Sequence, residues 1–90
     1  MPLVTLVMPT DTSVVSITAA DGIQSLSFQC DPAGGSCGLN GDSSFQGIES
    51  SVQTFTDGES FTTTSFGSSA PLSGITLSYI SGTVKVTMQK

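Results

Sequence analysis

From Ile75 to Met88 the chain alternates apolar and polar residues twice, and the two alternations meet at Ser81-Gly82. The first run is Ile75-Thr76-Leu77-Ser78-Tyr79-Ile80 and the second is Thr83-Val84-Lys85-Val86-Thr87-Met88. A period of two marks a half-buried strand, because successive side chains leave a strand on opposite faces. A glycine in a two-residue loop supplies the positive φ that tight hairpin turns require. The pattern therefore predicts a hairpin in which Tyr79 faces Val84, Leu77 faces Val86 and Ile75 faces Met88. All six then lie on one face, with Thr76, Ser78, Lys85 and Thr87 on the other. A slip of one residue would turn half of them into water, so the register is strongly specified. Each such side chain is worth roughly 1.5–3 kcal/mol when buried.

The rest of the chain is punctuated in the same style. Asp21-Gly22 predicts a second hairpin, pairing Ile17 with Leu26 and Val15 with Phe28. Residues 31–42 are almost all turn formers. Short strands are expected at 43–45 and 48–55, the latter with a bulge. Asp57-Gly58-Glu59 reads as a three-residue turn that sets Phe55 opposite Phe61. Residues 65–73 form a Ser/Gly/Pro loop in which Phe66 and Leu72 serve as anchors. Short strands with turn signals at this spacing predict an all-β fold. The expectation is a small antiparallel β-sandwich, jelly-roll or immunoglobulin-like, of seven to eight short strands over residues 13–90.

Residues 1–12 are assigned to an N-terminal apolar arm or edge strand. One reading makes residues 1–9 an ordinary first strand. The other makes them an arm, with Leu3, Val4, Leu6 and Val7 packing on a neighbouring subunit. On the second reading, deleting 1–9 removes assembly and leaves the fold.

Charge narrows the function. Two lysines, no arginine and seven carboxylates give a net charge of −5. Phosphate backbones are bound by displacing counterions with cationic side chains, so nucleic acid is excluded as a partner. Anionic membrane surfaces are disfavoured for the same reason, and no run reaches the length of a transmembrane span. The apolar start lacks a positive region and a cleavage site, so it is not expected to be a signal peptide. Synthesis in a cytoplasm is the expectation that follows.

Histidine is absent, which removes Ser-His-Asp and Cys-His nucleophile systems. The carboxylates Asp11, Asp21, Asp31, Asp42, Glu49, Asp57 and Glu59 fall mostly in turns, where Asp binds its own backbone. A catalytic carboxylate pair, or a calcium site from Asp31, Asn40 and Asp42, has to be weighed against that simpler role. Cys30 and Cys37 bracket a glycine-rich stretch. A disulfide and a pair of reduced thiols both remain open, whereas a metal would need more ligands than two sulfurs. Gly34-Gly35 and Gly38 lack the helix and lysine of a phosphate loop. No enzyme activity, cofactor or metal is expected.

Asp57-Gly58-Glu59-Ser60, the Ser-rich loop, Pro71-Leu72-Ser73-Gly74-Ile75-Thr76-Leu77 and Ser81-Gly82-Thr83-Val84-Lys85-Val86 follow one another in a pattern of strands and turns. In this the chain resembles, loosely over residues 13–90, small β-sandwich structural proteins of tailed bacteriophages. The Cys30–Cys37 stretch is not part of the resemblance. It implies a virion component, such as a head decoration, head fibre or connector-associated protein. Such a protein self-associates, binds other virion proteins and carries no catalytic residues. The alternative is a carbohydrate- or calcium-binding β-module that uses loops 31–42 and 65–73.

Overall fold

A computed structural model describes residues 3–67 and 69–90. Met1 and Pro2 of the expected arm, and Ser68 of the 65–73 loop, lie outside the described residues. The fold is all-β. In chain order the strands are β1 (Leu3–Met8), β2 (Val14–Ile17), β3 (Ser25–Gly41), β4 (Gln53–Thr56), β5 (Ser60–Thr64) and β6 (Ile75–Gln89). A 3-10 turn occupies Ala19–Asp21. Every pairing is antiparallel.

Two long strands, β3 and β6, run side by side as a ribbon, and each carries two short strands on its outer edge. Strand β6 takes β2 along its first half and β1 along its second. Strand β3 takes β5 along its first half and β4 along its second. A straight strand of 17 residues would span about 55 Å. The longest dimension of the molecule is 38 Å and the shortest 17 Å, so the ribbon has to bend. It bends where the β3–β6 register shifts, between Cys30 and Gly35, with a second shift between Ser36 and Cys37.

The bend folds one sheet into two rows that face each other. The first row is β1, the C-terminal half of β6, the N-terminal half of β3, and β5. The second is β2, the N-terminal half of β6, the C-terminal half of β3, and β4. Phe28 of the first row meets Phe55 of the second edge-on, with ring centroids 5.0 Å apart. Phe61 lies 5.6 Å from both rings. One core fills the space between, with Leu26, Val84 and Val86 from one row and Val15, Leu39 and Leu77 from the other. Phe45, Ile48 and Leu72 enter it from the connecting segments. A cleft of about 230 Å³ opens on the side of Val4 and Val15, which belong to β1 and β2.

The hairpin expected at Ser81-Gly82 is replaced by a continuous strand. Tyr79 pairs with Cys37 and Ser81 with Ser36, which leaves Ile80 as an unpaired extra residue, a β-bulge. One extra residue reverses the alternation, so Ile75, Leu77 and Tyr79 point inward before it and Val84, Val86 and Met88 point inward after it. All six belong to the core or pack against it. Their neighbours are not one another: Leu77 lies beside Leu39 and Val15, and Val86 beside Phe28 and Leu6. The Tyr79 hydroxyl donates to the Gly82 carbonyl oxygen at 2.9 Å and ties the bulge to the bend.

The Asp21-Gly22 hairpin is corrected in the same way. Strand β2 pairs with β6, not β3, because Asp21 closes the 3-10 turn and Gly22 leaves it with φ 67°. The turn formers at 31–41 belong to β3 itself; the strand expected at 43–45 is a turn, and the one expected at 48–55 begins only at Gln53, so that Phe45 and Ile48 reach the core from irregular segments. Asp57, Gly58 and Glu59 separate β4 from β5 as expected, but the two strands pair with β3 and not with each other, so Phe55 stands opposite Cys37 and Phe61 opposite Phe28. Among the described residues six strands thus stand where seven or eight short ones were expected, although bending makes two straight segments of each long strand. This connectivity by itself specifies neither a jelly roll nor an immunoglobulin-like sandwich.

Leu3–Met8 is an edge strand on β6. Met8 is fully buried, and Val4 and Leu6 pack on the core. Leu3–Met8 thus takes the edge-strand form of the two readings.

The bend places backbone against backbone. A Cβ on Gly82, whose φ is 69°, would overlap the Gly34 carbonyl oxygen and sit 2.8 Å from the Gly35 Cα. Gly22 has a similar φ but open space around it. In urea unfolding, Gly22→Ala is expected to cost about 1–2 kcal/mol from its left-handed backbone alone. Gly82→Ala is expected to cost about 3–5 kcal/mol because a steric clash is added. Equal losses at the two sites would contradict the backbone contact.

Candidate functional site

Five of the seven carboxylates are occupied by nearby backbone. The Val7 N–H donates to Asp11 Oδ2 (2.8 Å), Thr18 N–H to Asp21 Oδ2 (2.9 Å) and Ala33 N–H to Asp31 Oδ1 (2.8 Å). Ser44 N–H donates to Asp42 Oδ1 (2.9 Å) and Thr56 N–H to Glu59 Oε1 (2.7 Å). Hydrogen bonding from Ser44, side chain and backbone, holds the Asp42 carboxyl below its ordinary value. These acids fasten turns, as short acidic side chains do.

The residues weighed for calcium do not converge. Asp31 stands at the bend, while Asp42 lies at the other end of β3, its N–H bound to the Gly74 carbonyl oxygen. Among the described residues no three His, Cys, Asp or Glu side chains gather in one place. Of the segments 31–42 and 65–73 of the alternative ligand site, residues 31–35 sit at the bend beside Gly82, while Asp42 at the far end of the first reaches Gly74, next to the second. The 65–73 segment hangs from Ile23 and Gln24 through the Leu72 and Ser65 N–H groups. Leu72 is buried as an anchor, whereas Phe66 is 67% exposed and stacks on Phe45 at 5.2 Å.

Cys30 and Cys37 are both free thiols and fully buried, with Sγ atoms 3.9 Å apart. They lie on one strand on either side of the bend, not on two arms of a hairpin. Burial pushes the Cys37 thiol up to about 12, and the neighbouring Cys30 adds to the shift. Burial also raises Cys30, against a lowering contribution from its hydrogen bond with Cys37.

The assembly residues expected from the sequence have unequal exposure. Leu3 is 63% exposed, while Val4, Leu6 and Val7 are partly covered. A different apolar surface emerges on the outer face of the second row. Pairing sets Val14, Ser78, Gly38 and Thr54 in one line across four strands. Ser16, Thr76 and Asn40 form the next line. Gly38 has no side chain there and is itself buried, since a Cβ on it would lie 3.0 Å from Val52 Cγ1 and 4.0 Å from Ile80 Cδ1. Val14, Val52 and Ile80 are each half exposed or more. No charged residue stands among these. The sequence carried a faint sign of this face in the doublets Val14-Val15 and Tyr79-Ile80, where one residue of each must point outward.

No protein-family model, curated protein or solved structure matches the chain.

The thiols predict an alkaline limb of stability. Their folded values are raised, so above the ordinary value of 9.0 the unfolded chain loses thiol protons that the folded chain keeps. Stability therefore falls as pH rises from about 9 toward 12. The midpoint temperature under reducing conditions, followed through that range, is expected to decline less steeply in Cys37→Ala than in the parent. Parallel declines would show that the buried thiol is not the cause.

Proposed function

We propose that the protein is a non-enzymatic structural module that docks on protein surfaces, its own copies included, through the uncharged outer face of the second row. The observation that carries this reading is the placement of exposed Val14, Val52 and Ile80 among Ser, Thr, Asn and Gly side chains, with no charge among them. Apolar groups rimmed by uncharged polar ones mark surfaces that gain by being covered. A chain with a net charge of −5 repels its own copies over most of its surface. It meets least repulsion where that face is turned toward the neighbour. The resemblance to tailed-phage structural proteins supports a particular setting. In it the module is a capsid decoration or head/neck accessory protein, made in the host cytoplasm and carried in the virion.

Sedimentation of the purified chain tests the docking face. The parent is expected to self-associate, and Ile80→Asp or Val52→Asp to shift it to monomer with an unchanged far-ultraviolet spectrum. Lys85→Ala, on the outer face of the first row, is expected to leave association intact. A parent that stays monomeric at every concentration, or aspartate variants that assemble like the parent, would refute self-docking through this face.

A further inference from the structure

Cys30 and Cys37 are seven residues apart in a single strand. In a straight strand that separation is about 23 Å. An odd interval would also send the two side chains to opposite faces. Here both are fully buried on the same side, with their sulfurs 3.9 Å apart. Two departures from a regular strand produce this: the bend closes the distance, and the residues without β6 partners between Cys30 and Gly35 reverse the alternation. Cys30 belongs to the first row, paired with Val84, and Cys37 to the second, paired with Tyr79 and Phe55.

We propose that Cys30 and Cys37 form a disulfide site in which one covalent bond fastens the first row of the folded sheet to the second. The bond length of a disulfide is about 2.05 Å, so the sulfurs must close by less than 2 Å. The oxidant is a small aliphatic disulfide of the glutathione class. One cysteine thiolate attacks a sulfur of that disulfide, forms a mixed disulfide and releases one small thiol. The second cysteine thiolate then attacks the protein-bound sulfur and releases the other. The protein loses two hydrogens, and the external disulfide is reduced to two thiols.

The fold determines when this happens. In the closed structure both sulfurs are covered, and their raised values leave little thiolate at neutral pH. The exchange therefore belongs to the folding chain, whose thiols are exposed and ordinary. Once the rows close, the same burial shields the bond from reductant.

Refolding from denaturant, in mixed oxidised and reduced glutathione or with reductant alone, tests this. The glutathione sample is expected to be lighter by two hydrogens and to yield one peptide cross-linked between Cys30 and Cys37. Its midpoint temperature is expected to rise by about 10 °C, because the bond constrains the unfolded chain. Reductant should reverse the rise quickly in denaturant and slowly in native buffer. Cys30→Ser and Cys37→Ser are each expected to retain glutathione or a free thiol and to show no rise. Two thiols that remain open to alkylation after glutathione refolding would overturn the proposal. So would a bond formed only between chains, or an internal bond that lowers the midpoint.

Discussion

The molecule turns on one contact between backbones. At the bend, β3 and β6 approach so closely that a side chain on either strand would strike the other. A Cβ on Gly82 would overlap Gly34, and one on Gly35 would overlap the Thr83 carbonyl oxygen. Only glycine permits this approach, and Gly82 also supplies the left-handed φ the corner requires. Neighbouring groups hold the corner from both sides. The Tyr79 hydroxyl reaches the Gly82 carbonyl, the Asp57 N–H donates to the Gly35 carbonyl at 2.9 Å, and the Cys30 N–H donates to the Glu59 carbonyl at 2.9 Å. The chain between β4 and β5 thus crosses from one row to the other at the place where the ribbon itself crosses. Phe28, Phe55 and Phe61 close over each other beside it.

This geometry explains which parts of the fold were legible in the sequence. Alternation at period two identified the inward residues of β6 correctly, because face assignment depends only on parity. It could not identify their partners. A reversal of parity at Ser81-Gly82 fits a hairpin, where the chain doubles back, and equally a bulge in a strand that continues. Local sequence is nearly the same in both, since each asks for a glycine with positive φ. The choice is made by β3, some forty residues away, whose own reversal between Cys30 and Gly35 matches that of β6. The glycines there read as a loop because turn formers and bent strands share a composition. Phe45 and Ile48 read as strand residues in the sequence because burial, not strand geometry, selects them.

Charge placement separates the scaffold from its surface. The acids are spent on turns, where a carboxylate accepts an N–H that the turn leaves without a partner. That role was readable from their positions beside turn signals. The outer face of the second row was not, because it combines residues from four strands that lie far apart in the chain. Val14 and Ile80 are each explained locally as the odd member of an apolar pair. Only the register β2-β6-β3-β4 puts them on a shared surface with Val52, above the buried Gly38.

A small β-domain usually needs a second sheet or a helix layer to cover the apolar face of the first. Here one ribbon covers itself, and two rows share a core inside a body only 17 Å across its thinnest direction. With sheets packing about 10 Å apart, that thickness leaves room for a single layer of interdigitated side chains. The consequence is that inner and outer faces of every strand are separated by one backbone. A substitution that alters the bend changes which side chains face outward as well as which face inward. The outer face of the second row and the core are therefore set by the same two parity reversals. The cysteine pair stands at one of them, with a sulfur in each row. A covalent bond at that point would fix the relation of the two rows where the hydrogen-bonded ladder is interrupted, and so hold in place the surface that the second row presents.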